Sequence, residues 1–145
     1  MESVLNLTHF CATWGMIGVI WFVQIVHYPL LAKVGLKEFP EFEKALTFRT
    51  SFIVIPLMVT EITASFLLLG LKYGTTLQTL VVLNFAAVLL IWISTFFIQV
   101  PLHNQLLLGF DSKAHAKLVK TNWLRTILWT TRGATSILIL QHLPL

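Results

Sequence analysis

Four long stretches with almost no charge constrain the fold of this chain more than any other feature. Each can supply the roughly 20 apolar residues that a membrane-spanning helix needs. The whole chain is 57% hydrophobic and 11% charged, with a mean hydropathy of +0.83, which is far from the composition of a soluble domain. We therefore expect an integral membrane protein. The stretches contain only Glu61, Arg125 and Arg132 as charged residues and cover residues 3–32, 50–71, 73–110 and 121–145.

These stretches predict an all-α bundle of four transmembrane helices, which forms a single domain over residues 1–145. No other part of the chain is long enough for a separate soluble domain. The first stretch has no basic region in front of it and no small-residue cleavage pattern, so we expect it to remain as a span. To within about two to four residues, the spans are predicted at residues 4–26, 51–71, 77–100 and 122–141.

The first connection between spans has the pattern of an amphipathic helix. Residues 33–49 place Phe39, Phe42 and Leu46 at helical spacing among charged residues, with Pro40 near the start. Such a segment is predicted to lie at the membrane interface.

The other two connections carry turn and capping signals. Residues 72–76 are short enough to predict a tight antiparallel hairpin. The third connection breaks at Gly109, and Asp111 or Ser112 is the expected N-cap of a polar helix that runs into the fourth span.

Basic residues are concentrated beside the first and third connections. The positive-inside rule therefore places both termini outside the cytoplasm, in a multi-pass protein of a bacterial-type inner (plasma) membrane. This topology and anionic lipid account for the net charge of +4, so no nucleic-acid partner is expected. The basic residues are Lys33, Lys37, Lys44 and Arg49 on one side and Lys113, Lys117, Lys120 and Arg125 on the other.

A short polar pattern occurs twice, at offsets of 75 or 76 residues. Two explanations stay open: duplication of a helix hairpin, giving two pseudo-repeated hairpins, and chance similarity. In either case the first and third spans run in the same direction, so both copies meet at the cytoplasmic end. The two copies are Gln24, His27 and Arg49-Thr50, then Gln99, His103 and Arg125-Thr126.

Polar groups at membrane depth are costly, and their convergence predicts a pocket that opens towards the cytoplasm. Its positive charge suits a small hydrophobic or anionic ligand, such as an enolate, an anionic lipid head group or the propionates of haem. The predicted lining residues are Gln24, His27, Arg49, Gln99, His103, Asn104, Asn122 and Arg125.

Glu61 and Arg132 are predicted to lie deeper, within roughly two helical turns of each other in depth. An ion pair between them is the simplest structural explanation for both charges. The functional alternative makes Glu61 catalytic and places Arg132, with Trp129 on the same helical stripe, among the substrate-binding residues.

His27 and His103 are the best candidate proton-transfer residues, and also the best candidate metal or haem ligands by residue type. They are equally compatible with a place in the interfacial aromatic belt, like Tyr28. His9 lies near the opposite end of the first span, so it is not expected to share a coordination shell with them.

The segment Pro101-Leu102-His103-Asn104-Gln105-Leu106-Leu107, together with Trp129 and Arg132, resembles the anthrone-oxygenase-like family of small four-helix membrane proteins. The family shows a His-Pro-like element after its first helix, which corresponds here to His27-Tyr28-Pro29. The resemblance implies cofactor-independent oxygenation of a polyketide anthrone.

A second resemblance concerns the first span. His9, Trp14 and Gly18 resemble the early helix of haem-binding membrane protoporphyrinogen oxidases and copper-resistance membrane proteins. That resemblance implies a bound haem with His9 as its axial ligand.

Three classes of function therefore remain at this stage. The first is an oxidoreductase-like or oxygenase-like enzyme for a hydrophobic aromatic or quinone-like substrate, in which His27 or His103 moves a proton and Arg125 and Arg132 stabilise an oxyanion. The second is a haem-binding or metal-binding membrane protein. The third is a non-enzymatic subunit of a membrane complex, a homo-oligomer, or a lipid-binding or transport protein.

Overall fold

A computed structural model describes residues 2–141, and this part of the chain is helical apart from three short connections, without strands. Four long helices account for nearly all of it. Three of them, α1, α2 and α3, are long and apolar enough to cross a membrane, and α4 is of similar length but less apolar. The helices are α1 (Glu2–Leu31), α2 (Phe39–Leu69), α3 (Thr75–Leu106) and α4 (Ser112–Gln141).

The interfacial helix predicted for residues 33–49 is not a separate element. Helix α2 begins at Phe39, with Pro40 in its first turn, and continues without interruption into the second span. No Gly or Pro occurs between residues 41 and 55, so nothing in the sequence ends the helix there. Phe39 and Glu43 are fully buried, so this side of the helix packs against the protein, whereas Phe42 is 44% exposed.

The predicted start of the fourth long helix is confirmed. Asp111 Oδ1 accepts hydrogen bonds from the backbone N–H groups of Lys113 and Ala114, at 2.8 and 3.2 Å. These two bonds hold the pKa of the Asp111 carboxyl below its usual value, and the bond from Ala114 has the larger effect. Gly109, with a φ of 145°, supplies the break before the cap.

Helices α1 and α3 each contain one π-helical segment, at Val23–His27 and Thr95–Gln99. Both segments end two residues before a proline, Pro29 or Pro101. Proline lacks an N–H group and its ring collides with the carbonyl of residue i−4, and the wider π turn relieves both problems. Each π segment also adds one residue to its turn, which turns the side chains that follow by roughly 100° relative to a regular α-helix.

The helices form a closed square in the order α1, α2, α3, α4, with contacts between successive members and between α4 and α1. The side chains that link opposite corners are polar. Tyr28 on α1 hydrogen-bonds His103 on α3, and Glu61 on α2 pairs with Arg132 on α4. The centre of the bundle therefore contains these polar contacts together with a buried cluster from all four helices, formed by Met16, Ile20, Met58, Ile91 and Trp129.

Candidate functional site

A cavity of about 470 Å³ opens at the end of the bundle that carries the first and third connections. Its size lies within the range of about 300–1,000 Å³ that is typical of small-molecule sites. The walls come from α1, α2 and α3, and α4 contributes Arg125. Most of the lining is apolar. Thr95 lies one helical turn before Gln99, and the other polar lining residues are His27, Tyr28, Thr47, Thr50, Ser51, Gln99, His103, Asn104 and Arg125.

His103 forms a linear polar chain with Glu43 and Tyr28 at the cavity wall. Its Nδ1 lies 2.5 Å from Glu43 Oε1, and its Nε2 lies 3.3 Å from the hydroxyl of Tyr28. The carboxylate accepts a hydrogen bond, so Nδ1 carries the proton, and Nε2 of the neutral ring accepts from the tyrosine. A carboxylate, an imidazole and a hydroxyl in this order are the arrangement of a general base.

The local fold explains why the Tyr28 side chain can reach His103. Its backbone N–H bonds the carbonyl of Val23, five residues earlier, which closes the π segment. Its own carbonyl accepts a hydrogen bond of 2.8 Å from His115 Nε2 on α4. These contacts fix the tyrosine in the interior at 2% exposure, so the prediction that Tyr28 belongs to an interfacial aromatic belt was wrong.

Arg125 is the second group in the cavity that could take part in chemistry. Its guanidinium stacks over the ring of Trp129 at 5.1 Å, and Nη1 donates to Asn122 Oδ1 at 3.2 Å. The side chain is 7% exposed, its Nε has no partner, and no carboxylate pairs with it within residues 2–141. Arg125 therefore lines the cavity, as the sequence predicted, and within residues 2–141 it is a buried cation without a counter-ion.

The partners of Arg125 are themselves held in place. Asn122 Nδ2 donates to Gln24 Oε1 at 2.7 Å, which turns the Asn122 carbonyl oxygen towards the guanidinium. Gln24 in turn donates to the carbonyl of Val119 at 3.3 Å. Gln24 and Asn122 thus hold Arg125 in position and do not line the cavity themselves.

His27 and Gln99 line the cavity, as the sequence predicted. The Nε2 atom of His27 is buried and has no hydrogen-bond partner. Gln99 is bonded on both sides, since it accepts from Ser94 at 3.0 Å and donates to Thr121 at 3.3 Å. Asn104 lies at the exposed rim. Arg49 is exposed and lies outside the cavity.

The ion pair expected between Glu61 and Arg132 is confirmed, with Nη1 2.5 Å from Oε1. Further hydrogen bonds hold both side chains of the pair. Trp129 donates to both carboxylate oxygens, at 3.2 and 2.9 Å. Arg132 Nη2 donates to Ser65 and Nε to Asn84, each at 3.1 Å. None of Glu61, Trp129 and Arg132 lines the cavity, so the structure gives this group a structural position beneath it.

His9 belongs to the same buried network. Its Nε2 donates to Asn84 Oδ1 at 3.1 Å, and the ring is 1% exposed and outside the cavity. His27 and His103 share the cavity, but both nitrogens of His103 already have partners. Within residues 2–141, no group of three or more His, Cys, Asp or Glu side chains is placed to hold a metal ion.

Sequence reasoning missed Glu43 and the position of Tyr28. A signal for Glu43 was present, because its helical stripe continues into the second span. Buried or cavity-lining residues follow one another at spacings of three and four along α2: Phe39, Glu43, Thr47, Thr50, Val54, Met58, Glu61, Ser65 and Leu68.

Comparison with protein-family models, with curated proteins and with solved structures finds no match to this chain.

Proposed function

We propose that α4 is a fourth membrane span and that both termini lie outside the cytoplasm, in a plasma (inner) membrane. At 30 residues, α4 is about 45 Å long, which exceeds the hydrocarbon thickness of a bilayer. Its two deep charges, Arg125 and Arg132, are both buried in the bundle. The outward surface at that depth includes Leu124, Ile127 and Leu138. The exposed Thr130 and Thr131 donate their hydroxyl hydrogen bonds to carbonyls of their own helix.

The protein is, in this proposal, a membrane enzyme that removes a proton from a hydrophobic aromatic substrate and stabilises the resulting oxyanion. The observation that carries the proposal is that Tyr28, His103 and the unpaired cation Arg125 line one mostly apolar cavity, with Glu43 bonded to His103 behind them. A base beside a fixed positive charge favours the ionised form of an acidic ketone or phenol. The same charge without a ligand is costly to bury.

The residues divide the reaction between them. The Tyr28 hydroxyl passes its proton to His103 Nε2 and receives one from the acidic ring CH₂ of the substrate, which is conjugated through the aromatic rings to the carbonyl group on the opposite side of the ring. Glu43 stabilises the imidazolium that forms. Arg125 stabilises the enolate oxygen, and the apolar wall excludes water and strengthens this contact.

The resemblance to the anthrone-oxygenase-like family supplies the class of reaction. Dioxygen is the second substrate: the ring CH₂ of an anthrone becomes a carbonyl group, one oxygen atom of O₂ enters that carbonyl, and the other leaves as water with the two hydrogen atoms. The electrons for reducing O₂ all come from the substrate carbon. The side chains of this protein are needed only to form and hold the enolate.

The test is oxygen uptake and quinone formation from an anthrone by the purified chain. His103→Asn and Arg125→Ala are each expected to lower turnover, by roughly 10²–10⁴-fold and 10²–10³-fold respectively. Lys44→Ala, which removes an exposed cation on α2, is the matched control and should leave turnover unchanged. Equal turnover in His103→Asn and the unmodified protein would reject the proposal.

A lipid-binding function is the second candidate, and the shape of the cavity mouth favours it. Ile55 on α2 and Phe96 on α3 both line the cavity and are both 56% exposed, so the cavity is open sideways between these helices, where the bilayer would lie, as well as at the end of the bundle. A fatty acid or lysolipid with its carboxylate or phosphate at Arg125 would fit this opening. Co-purified lipid that is lost in Arg125→Ala, together with no turnover of any anthrone, would favour this function.

A further inference from the structure

The side opening of the cavity, between α2 and α3, has two apolar rims. Ile55 on α2 and Phe96 on α3 line the cavity and are more than half exposed, and Val100 on α3 lines it at 41% exposure. Phe66 and Phe85 stack between the same two helices at 6.1 Å, and Ile55 and Phe96 each lie eleven residues from that contact. Ile55 and Phe96 therefore lie at a similar depth, on opposite rims of one opening.

The backbone accounts for the position of the side opening. Helix α2 packs along Thr75–Ser94 of α3, but it makes few close contacts with the π segment Thr95–Gln99, to which Phe96 belongs. Thr95 also lines the cavity, and its hydroxyl donates a hydrogen bond of 2.8 Å to the carbonyl of Ile91 on its own helix. That hydroxyl is therefore satisfied without a partner from a ligand.

The outer surface beside the side opening is apolar. Phe52 and Val59 on α2 and Ile93 and Phe97 on α3 are all exposed. Because both helices are apolar enough to span a membrane, the opening faces hydrocarbon when the protein lies in a bilayer. An apolar chain that passes through it exchanges lipid neighbours for similar ones, so little free energy opposes its passage.

Arg125 approaches the cavity from the opposite side of the bundle. It belongs to α4, and Asn122 and Gln24, which hold it in position, connect α4 to α1. In the closed square of helices, the edge between α4 and α1 lies opposite the edge between α2 and α3. A ligand whose oxygen is bound at Arg125 therefore lies between a buried cation and an opening to lipid.

The cavity is also longer than the ring system of an anthrone. Its lining on α2 runs from Leu46 to Met58, which is about 18 Å along a helix axis. In the proposed reaction the substrate oxygen lies at Arg125 and the acidic CH₂ at Tyr28, on opposite sides of the central ring. Only an outer ring is then free to carry a substituent towards the side opening.

We propose that the substrate of this site is an aromatic ring system that carries an apolar chain, and that the chain leaves the cavity between Ile55 and Phe96 into the bilayer. The inference rests on the proposed function, which assigns the ring oxygen to Arg125. The substrate class is accordingly a membrane-dissolved phenol or ketone with an alkyl or prenyl chain on an outer ring. Since the chain has apolar neighbours with or without the protein, the opening determines which molecules fit and adds little affinity.

The experiment measures exchange of the ring CH₂ with deuterated water, without oxygen, for two probes on the full-length protein in detergent. The probes are anthrone and 2-decylanthrone, and only the second carries a chain. The unmodified protein should accelerate exchange of both. Ile55→Trp narrows the opening and should lower the acceleration for 2-decylanthrone by at least roughly 10-fold, because the chain must then displace packed side chains. Its effect on anthrone should be small.

The matched control is Ile53→Trp. Ile53 lies on the same helix and is 57% exposed, against 56% for Ile55, but it is outside the cavity, so both probes should exchange as with the unmodified protein. Equal effects of Ile55→Trp on the two probes, or no acceleration for 2-decylanthrone by the unmodified protein, would overturn the inference and leave the proposed function standing. No acceleration for either probe by the unmodified protein would overturn both.

Cross-linking to the unmodified protein covers the case in which Ile55→Trp does not fold. The probe is an anthraquinone with a decyl chain on an outer ring and a photoreactive diazirine at the third carbon of that chain. It should label Ile55 or Phe96, and an excess of anthrone should abolish this labelling. Anthrone-sensitive labelling only at Asn104 or Leu107, which line the cavity near the end of the bundle, would show that the chain leaves there and would overturn the inference.

Discussion

Tyr28 and His103 lie 75 positions apart in the sequence and meet across the bundle, with the phenol oxygen 3.3 Å from Nε2. His9 and Asn84 have the same separation in sequence and also meet, at 3.1 Å. Residues that correspond under this offset are therefore neighbours between α1 and α3. Such contacts are expected where two duplicated hairpins pack around a shared axis, which supports the hypothesis of a pseudo-repeat.

The pair of Tyr28 and His103 predicts a specific kinetic effect. Tyr28→Phe keeps the ring and removes the hydroxyl that passes the proton, so turnover should fall by roughly 10–100-fold, less than in His103→Asn. The KM for the substrate should change little, because Arg125 still holds the oxyanion. Steady-state kinetics with an anthrone gives both values, and a Tyr28→Phe variant with normal turnover would remove the tyrosine from the relay.

Glu43 is predicted to act by orienting His103. Glu43→Gln should lower turnover by at least roughly 10-fold, since a neutral amide neither fixes the ring tautomer nor stabilises an imidazolium. Glu41→Gln, on the same helix but exposed, is the matched control. If both variants behave alike, the contact between Glu43 and His103 serves packing alone.

The sequence predicts the helical class, the Asp111 cap and the Glu61–Arg132 pair because each follows from local chemistry. A helix needs apolar length, a cap needs a carboxylate before a polar turn, and two opposite charges in an apolar layer need each other. The burial of Tyr28 could not be predicted from local chemistry of this kind. A stripe drawn at 3.6 residues per turn assigns His27 to the interior, and the π segment turns the helix so that Tyr28, the next residue, is buried as well.

The Glu61–Arg132 pair should dominate the stability of the bundle. Glu61→Ala or Arg132→Ala alone leaves a buried charge without its partner, which costs about 3–5 kcal/mol of unfolding free energy. The double variant should lose clearly less than the sum of the two, and this is measured by unfolding in mixed micelles. Additive losses would show that the two side chains are not coupled.

The cap at Asp111 predicts a pH dependence that does not involve the cavity. The pKa of the Asp111 carboxyl is lower in the folded chain than in the unfolded chain. The hydrogen bonds to this carboxylate therefore stabilise the fold fully at pH values above the unfolded pKa, and this stabilisation is lost as the pH falls through the folded pKa. The amides of Lys113 and Ala114 should therefore lose protection from hydrogen exchange below about pH 4. In Asp111→Asn, whose amide does not titrate, their protection should not change over this range.

The π segment in α3 is expected to be necessary for the site. Deleting Phe97, which is 77% exposed, would restore a regular α-helical turn and rotate His103 by roughly 100° away from Glu43. The variant should keep its helical circular dichroism and lose turnover to the level of His103→Asn. Retained turnover would show that the register after Thr95–Gln99 does not set the geometry of the base.

The central claim is that His103 and Tyr28 remove a proton from a bound ketone whose oxygen lies at Arg125. Exchange of the acidic ring CH₂ of an anthrone with deuterated water, followed by NMR without oxygen, measures this step apart from any oxidation. The unmodified protein should accelerate the exchange in proportion to its concentration, and His103→Asn should reduce the acceleration by at least roughly 100-fold. Exchange at the same rate with the unmodified protein, with His103→Asn and with empty micelles would contradict the account.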